Sequence, residues 1–127
     1  MYQKEKINQR NSDMMVRQGE IYIVTINNTV GSEQEIIHRP CLIVQNNKGN
    51  EHSRTTIILP MTKKNKNKLP THYILKKNKY PFLEHDSLVL GEQVKTIDIQ
   101  YCLEKKIGEI LIDDLKEIIK IISLNFA

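Results

Sequence analysis

Arg39-Pro40-Cys41-Leu42-Ile43-Val44-Gln45-Asn46, then Asn47-Lys48-Gly49-Asn50, then Thr55-Thr56-Ile57-Ile58-Leu59-Pro60-Met61-Thr62, is the stretch on which the fold turns. Two apolar, β-branched-rich runs, Cys41 to Val44 and Ile57 to Met61, flank a polar segment carrying Gly49 and Asn50. Runs of this length, bounded by Asn and Gly, predict two buried neighbouring strands joined by a turn. If they run antiparallel, the beginning of the first lies beside the end of the second. Arg39 and Thr62 then share one rim of a sheet.

Working towards the N-terminus, Pro40 biases Arg39 to an extended backbone. His38 precedes it, and a polar loop from Val30 to Glu35, containing Gly31 and Ser32, is expected before that. Gly19-Glu20-Ile21-Tyr22-Ile23-Val24-Thr25-Ile26 reads as a first strand, ended by Asn27-Asn28-Thr29. Residues 1–15 form a polar extension expected to be disordered, with Met14 or Met15 as a possible natural start, and residues 16–127 form the domain.

Towards the C-terminus, Lys63 to Pro70 carries four lysines and no acid, and reads as an exposed loop. Thr71 to Leu75 predicts a short strand, Lys76 to Lys79 a turn, and Asp86 to Leu90 another strand. That strand is expected to continue through Gly91 to Asp98 past a bulge at the glycine. A helical turn over Ile99 to Leu103 and a last strand at Ile107 to Leu111 follow. Leu115, Ile118, Ile119 and Ile122 recur at helical spacing, with Asp113 as the expected N-cap. Short strands and one terminal helix predict a mainly β domain, a small bent barrel capped by that helix.

At 127 residues, 39% hydrophobic and 27% charged, the chain suits one globular domain with a modest core. A net charge of +4 permits a nucleic-acid partner without demanding one. Cys41 and Cys102 have no metal-ligand spacing and are expected to stay reduced. No apolar run approaches the ~20 residues of a membrane span. The expected protein is therefore cytoplasmic, with no membrane partner.

His38, His52, His72 and His85 are scattered, and neither a phosphate-binding glycine loop nor a nucleophile elbow occurs. No metal site and no organic cofactor is expected. What remains is Arg39, Thr62, the Ser32-Glu33 loop and Glu92-Gln93. An arginine fork suits a phosphate, and a nearby hydroxyl can donate to a phosphoryl oxygen. Spacing alone favours the plainer reading, with Arg39 anchoring a carboxylate and Thr62 an ordinary strand-end residue. His72 and Tyr73 read as structural.

Taken together the segments resemble the MazF/PemK family of toxin endoribonucleases. The likeness rests on Arg17-Gln18-Gly19-Glu20-Ile21-Tyr22, Gly31-Ser32-Glu33-Gln34, Arg39-Pro40 with the strand after it, and Gly49-Asn50, Ser53 and Thr55. It continues in Pro60-Met61-Thr62, Leu69-Pro70-Thr71-His72, Asp86-Ser87 and Glu92 to Asp98. The resemblance implies an SH3-like barrel of the PemK/CcdB type, a homodimer, and metal-independent cleavage of single-stranded RNA. The implied products are 2′,3′-cyclic phosphate and 5′-OH ends. It implies Arg39 and Thr62 as catalytic residues, Ser32, Glu33 and Gln93 as RNA-facing ones, and a MazE-like antitoxin as partner. Two alternatives remain: a gyrase-poison-like toxin on the same barrel that binds a protein without cutting RNA, and an inactive RNA-binding or regulatory module. The sequence departs from the family pattern at His38, at Glu35-Ile36 and in the lysine-rich loop.

Overall fold

A computed structural model describes residues 15–64 and 67–127. The polar N-terminal extension, up to residue 14, and part of the lysine-rich loop lie outside the described residues. Strands β1 (Glu20–Val30) and β2 (Glu33–Ile43) form one long antiparallel hairpin, paired from Ile21↔Leu42 to Val30↔Glu33. The expected end of β1 at Asn27-Asn28-Thr29 and the long loop after it are thus corrected. Gly31 takes φ +64°, which opens a two-residue turn of the primed kind and lets pairing run to the tip. Once a turn fixes the register, cross-strand hydrogen bonds carry residues whose own preference is for loops. Residues 33–36 are nevertheless exposed.

Beyond β2 the expected turn is a short helix, α1 (Asn47–His52), capped by the Asn46 side chain, whose Oδ1 accepts from Gly49 N at 2.7 Å. Asn50 is buried. Its carboxamide accepts from Gln45 Nε2 at 2.9 Å and Thr56 Oγ1 at 2.6 Å, and donates to Gln45 O at 3.0 Å. The Gly-Asn step is therefore a hydrogen-bonded knot that sets where the next strand starts.

Strand β3 (Thr55–Lys63) is the hub of the sheet. It pairs with β2 over Cys41↔Pro60 to Ile43↔Ile58. Residues Thr55 to Ile58 pair with Lys95–Asp98, and Met61 to Lys63 with Ser87 to Val89. Those last two segments were expected as one bulged strand. They are two, and the turn at Gly91 sends the chain to a different half of β3. In chain order they are β5 (Ser87–Leu90) and β6 (Lys95–Asp98), after β4 (His72–Leu75), which pairs with β5. A Cβ on Gly91 would stand 2.4 Å from the Thr71 carbonyl oxygen, so only glycine allows that close crossing.

Asp98 caps α2 (Ile99–Cys102), and β7 (Leu103–Glu109) pairs with the free side of β1, beginning earlier than expected. The terminal helix α3 (Ile112–Ser123) starts one residue before Asp113, with no side-chain cap, so Asp113 is not the N-cap. Its buried face is Asp114, Leu115 and Ile118, narrower than the spacing suggested, because Ile119 is 39% exposed.

The sheet runs β4-β5-β3-β2-β1-β7, and β6, off this path, pairs with the first half of β3. It bends into a small SH3-like barrel whose hydrogen bonding stays open between edges β4 and β7. Alternation along the central strands splits them between two cores. Ile21, Leu42, Leu59 and Met61 face one, which α3 closes with Leu115 and Ile118. Tyr22, Val24, Cys41, Ile43 and Ile58 face the other, with Ile97, Ile99 and Leu103. Burial on both faces explains why Cys41 to Val44 reads as a continuous apolar run. Both cysteines are free thiols, as expected.

Candidate active site at a split between two strands

The β2–β3 ladder ends at Cys41↔Pro60. Pro40 and Pro60 offer no N–H to continue it. Carried two steps further, the same register sets Arg39 opposite Thr62. The Arg39 guanidinium turns into the resulting gap and donates to the Met61 carbonyl from Nε at 3.2 Å and Nη2 at 2.8 Å. Thr62 is fixed from the other side by pairing with Leu88, and its side chain is exposed. One strand end thus presents a half-buried cation and a hydroxyl, and among the described residues the Nη1 donors meet no acceptor.

Both residues line a cleft of about 600 Å³, together with His38, Pro40, Lys63, Phe82, His85 and Ser87. Its floor is the open mouth of the first core, formed by Ile23, Met61, Leu83 and Ile107. Phe82 is seated there because β7 presents Gly108 beneath it; a Cβ at that position would come within 2.5 Å of the ring. Arg39 and Lys63 give the rim positive charge, which suits a phosphate diester. The Cys41 thiol close by offers no nucleophile. Burial pushes it up to about 12, against the smaller opposing pull of the Arg39 and Lys95 charges.

The other expected site residues stand elsewhere. Ser32 is in the exposed hairpin turn, and Glu33 precedes Arg39 by six positions on an extended strand, so about 20 Å separates them. Gln93 is exposed in the β5–β6 turn, next to Glu92. Arg39 and Thr62 line one cleft, and Ser32, Glu33 and Gln93 are not among the described residues that line it. Sequence reasoning overlooked Lys63, Phe82, His85 and Ser87, whose place in the cleft follows from how β4 and β5 fold back. His38 had one signal, its adjacency to Arg39.

His72 and Tyr73, read from the sequence as structural, bond to other parts of the scaffold. His72 accepts from Leu69 N at 3.2 Å through Nδ1 and meets Glu92 at 3.2 Å through Nε2. Burial would raise the Glu92 carboxyl, yet hydrogen bonds from its own backbone, His72 and Thr71 hold it below its ordinary value. This joins the end of the lysine-rich loop to the turn that carries Gln93. Among the described residues, no group of three or more His, Cys, Asp or Glu is gathered to hold a metal ion. No helix among them is long and apolar enough to cross a membrane.

The bent barrel, capped by one helix, is the fold of MazF toxins. The MazF crystal structure from Deinococcus radiodurans is similar with a TM-score of 0.70 at 18% identity, covering 90% of this chain and 98% of that one. An endoribonuclease in complex with its cognate antitoxin, from a mycobacterial species, gives 0.65 at 19% identity, over 87% and 94%. At the level of sequence, residues 17–126 match the family described as PemK-like, MazF-like toxin of type II toxin–antitoxin systems. The chain is also 39% identical over 104 residues to an endoribonuclease MazF of Staphylococcus saprophyticus, covering 76% of this chain and 85% of that protein. It belongs to the PemK/MazF toxin family.

Proposed function

We propose that this toxin, an endoribonuclease, cleaves single-stranded RNA without a metal, using Arg39 and Thr62 at the β2–β3 split. In this reading the ribose 2′-oxygen forms a bond to the adjacent phosphorus and the bond from phosphorus to the 5′-oxygen breaks. A 2′,3′-cyclic phosphate and a 5′-OH end result. Negative charge builds on the non-bridging oxygens, where a fixed guanidinium and a hydroxyl stabilise it more than they stabilise the ground state. The observation that carries this reading is the juxtaposition itself, an arginine already oriented by Met61 O with donors remaining, across from an exposed threonine.

Ser32, Glu33 and Gln93 are proposed to contact bases at some distance from the cut, since polar side chains on exposed turns suit the edges of unstacked nucleotides. A second copy of the chain and a MazE-like antitoxin are the proposed partners, in a cytoplasmic setting. An acidic antitoxin segment would compete with RNA for the positive rim. The endoribonuclease relative favours this reading over a gyrase-poison-like one.

The test is incubation of the purified chain with a long single-stranded RNA in EDTA, beside Arg39→Ala and Thr62→Ala. Discrete cuts with cyclic-phosphate ends are expected. Arg39→Ala should lose about 10²–10³-fold in rate, the usual cost of one transition-state donor. Intact RNA at every concentration, or cleavage that EDTA abolishes, would refute the mechanism.

A further inference from the structure

The chemistry above needs a group to take the 2′-OH proton. Arg39 cannot, because a guanidinium stays protonated in proteins. Glu33 lies about 20 Å along β2 from Arg39 in the same chain. His38 is the neighbour of Arg39 and lines the same cleft. Successive residues on a strand point to opposite faces, so His38 rises from the cleft floor beside Pro40 while Arg39 reaches through the split. A phosphate bound at the split would meet the cation on one side and the imidazole on the other.

Its ring is oriented from outside the cleft. His38 is paired with Thr25 across the hairpin, and His38 Nδ1 lies 2.5 Å from Glu104 Oε2 on β7. The same carboxylate oxygen accepts from Thr25 Oγ1 at 2.5 Å. A carboxylate only accepts, so Nδ1 must carry the proton that joins the two groups. In the neutral ring this leaves the lone pair on Nε2. The His38 side chain is 60% exposed, so a substrate can reach that atom. A histidine whose far nitrogen is held by a carboxylate is the arrangement that prepares an imidazole to accept a proton. The charged groups around it are Glu104 on β7, Arg39 on its own strand, Lys63 on β3, and Glu84 and His85 in the β4–β5 loop.

We propose that His38 is the general base of this enzyme and Glu104 its positioning residue, an assignment that rests on the ribonuclease reading above. His38 Nε2 takes the 2′-OH proton as the bond from the 2′-oxygen to phosphorus forms. The bond to the 5′-oxygen breaks, the departing oxygen takes a proton from water, and the imidazolium returns its proton to solvent.

The experiment compares wild type, His38→Ala and Glu104→Ala on one RNA of mapped cut site, in EDTA, with thermal unfolding and RNA affinity measured alongside. Removing a general base typically lowers the rate by about 10²–10⁴-fold. That loss is expected for His38→Ala, with RNA affinity unchanged, partial rescue by added imidazole, and disappearance of the acid limb of the pH–rate profile. Glu104→Ala should lose less, in rate and not in RNA affinity, and Glu104→Gln, which still offers an acceptor to Nδ1–H, should restore part of the loss. RNA with a bridging 5′-sulfur needs no leaving-group proton, and on it the His38→Ala defect should persist.

Wild type that cuts RNA while His38→Ala cuts within twofold of it overturns the assignment alone. So does a defect that vanishes on the sulfur substrate, which would make His38 the acid. Wild type that leaves every RNA intact brings down the ribonuclease reading, and this assignment with it.

Discussion

At the start of α3 the Asp114 carboxylate accepts from Tyr73 Oη at 2.5 Å and from Tyr80 Oη, and pairs with Lys79 Nζ at 2.8 Å. The residue is 8% exposed. Tyr80 Oη in turn accepts from Leu111 N at 3.0 Å, so the cluster fastens β4 and the loop after it to the helix. Between β2 and β3 the Arg39 guanidinium is only half-buried, and both its bonds to described residues go to one carbonyl. One charge is surrounded by three donors from β4 and the loop after it, the other oriented and left open. A saturated buried charge has nothing to offer a ligand and serves the scaffold. An oriented but unsaturated one facing a cleft is already arranged for an anion and loses little freedom in binding it.

Exchanging the character of the two sites separates them. Arg39→Lys keeps the charge and removes the fork, so cleavage should fall about 10²–10³-fold while the unfolding midpoint hardly moves. A variant that cuts normally would mean charge alone suffices at the split. Asp114→Asn should do the reverse. It should lower stability by about 2–3 kcal/mol, the scale of hydrogen bonds to a charged group, and leave the turnover of the folded fraction unchanged. Chemical denaturation with an RNA-cleavage assay on the same samples distinguishes the two outcomes.

Acid should expose the same contrast. Burial alone would raise the Asp114 carboxyl, but hydrogen bonds from Lys79, Tyr73 and Tyr80 outweigh it and hold it below its ordinary value. A carboxyl lowered in the folded state contributes fully above its unfolded pKa of about 3.9, and that contribution disappears as pH falls through the lower folded value. The stability gap between wild type and Asp114→Asn should therefore be constant from neutral pH down to about 4 and close below it. A gap that widens on acidification would contradict the assignment.

The smallest effect belongs to the far end of the β1–β2 hairpin. Ile36 is 64% exposed, and Ile36→Ala should change stability by no more than about 0.5 kcal/mol. A loss several times larger would show that the hairpin is covered in solution, as a second copy of the chain would do.

The legibility of the chain follows the same division. Cys41 to Val44 and Ile57 to Met61 were readable because burial on two faces forces an unbroken apolar run. The hairpin beyond Asn27 was not, since its pairing depends on a turn at Gly31 and on no apolar pattern. The break at Gly91 was read as a bulge because periodicity cannot say which half of β3 the next segment will join. Nothing in the local spacing marked Asp114 as the centre of a cluster, because its three partners come from residues thirty or more positions away.

By itself the sequence determined two central strands, a terminal amphipathic helix, and an arginine and a threonine at matching ends of those strands. Local spacing is sufficient for that, because alternation and helical period are properties of the chain. Only the tertiary structure decided that the ladder stops two residues short of Arg39 and Thr62. Only it turned the guanidinium onto Met61 O and set His38, Lys63 and His85 around the opening. Those facts depend on where β5 and β7 fold back against β3 and β1, and such long-range pairing leaves no periodic trace in the residues themselves.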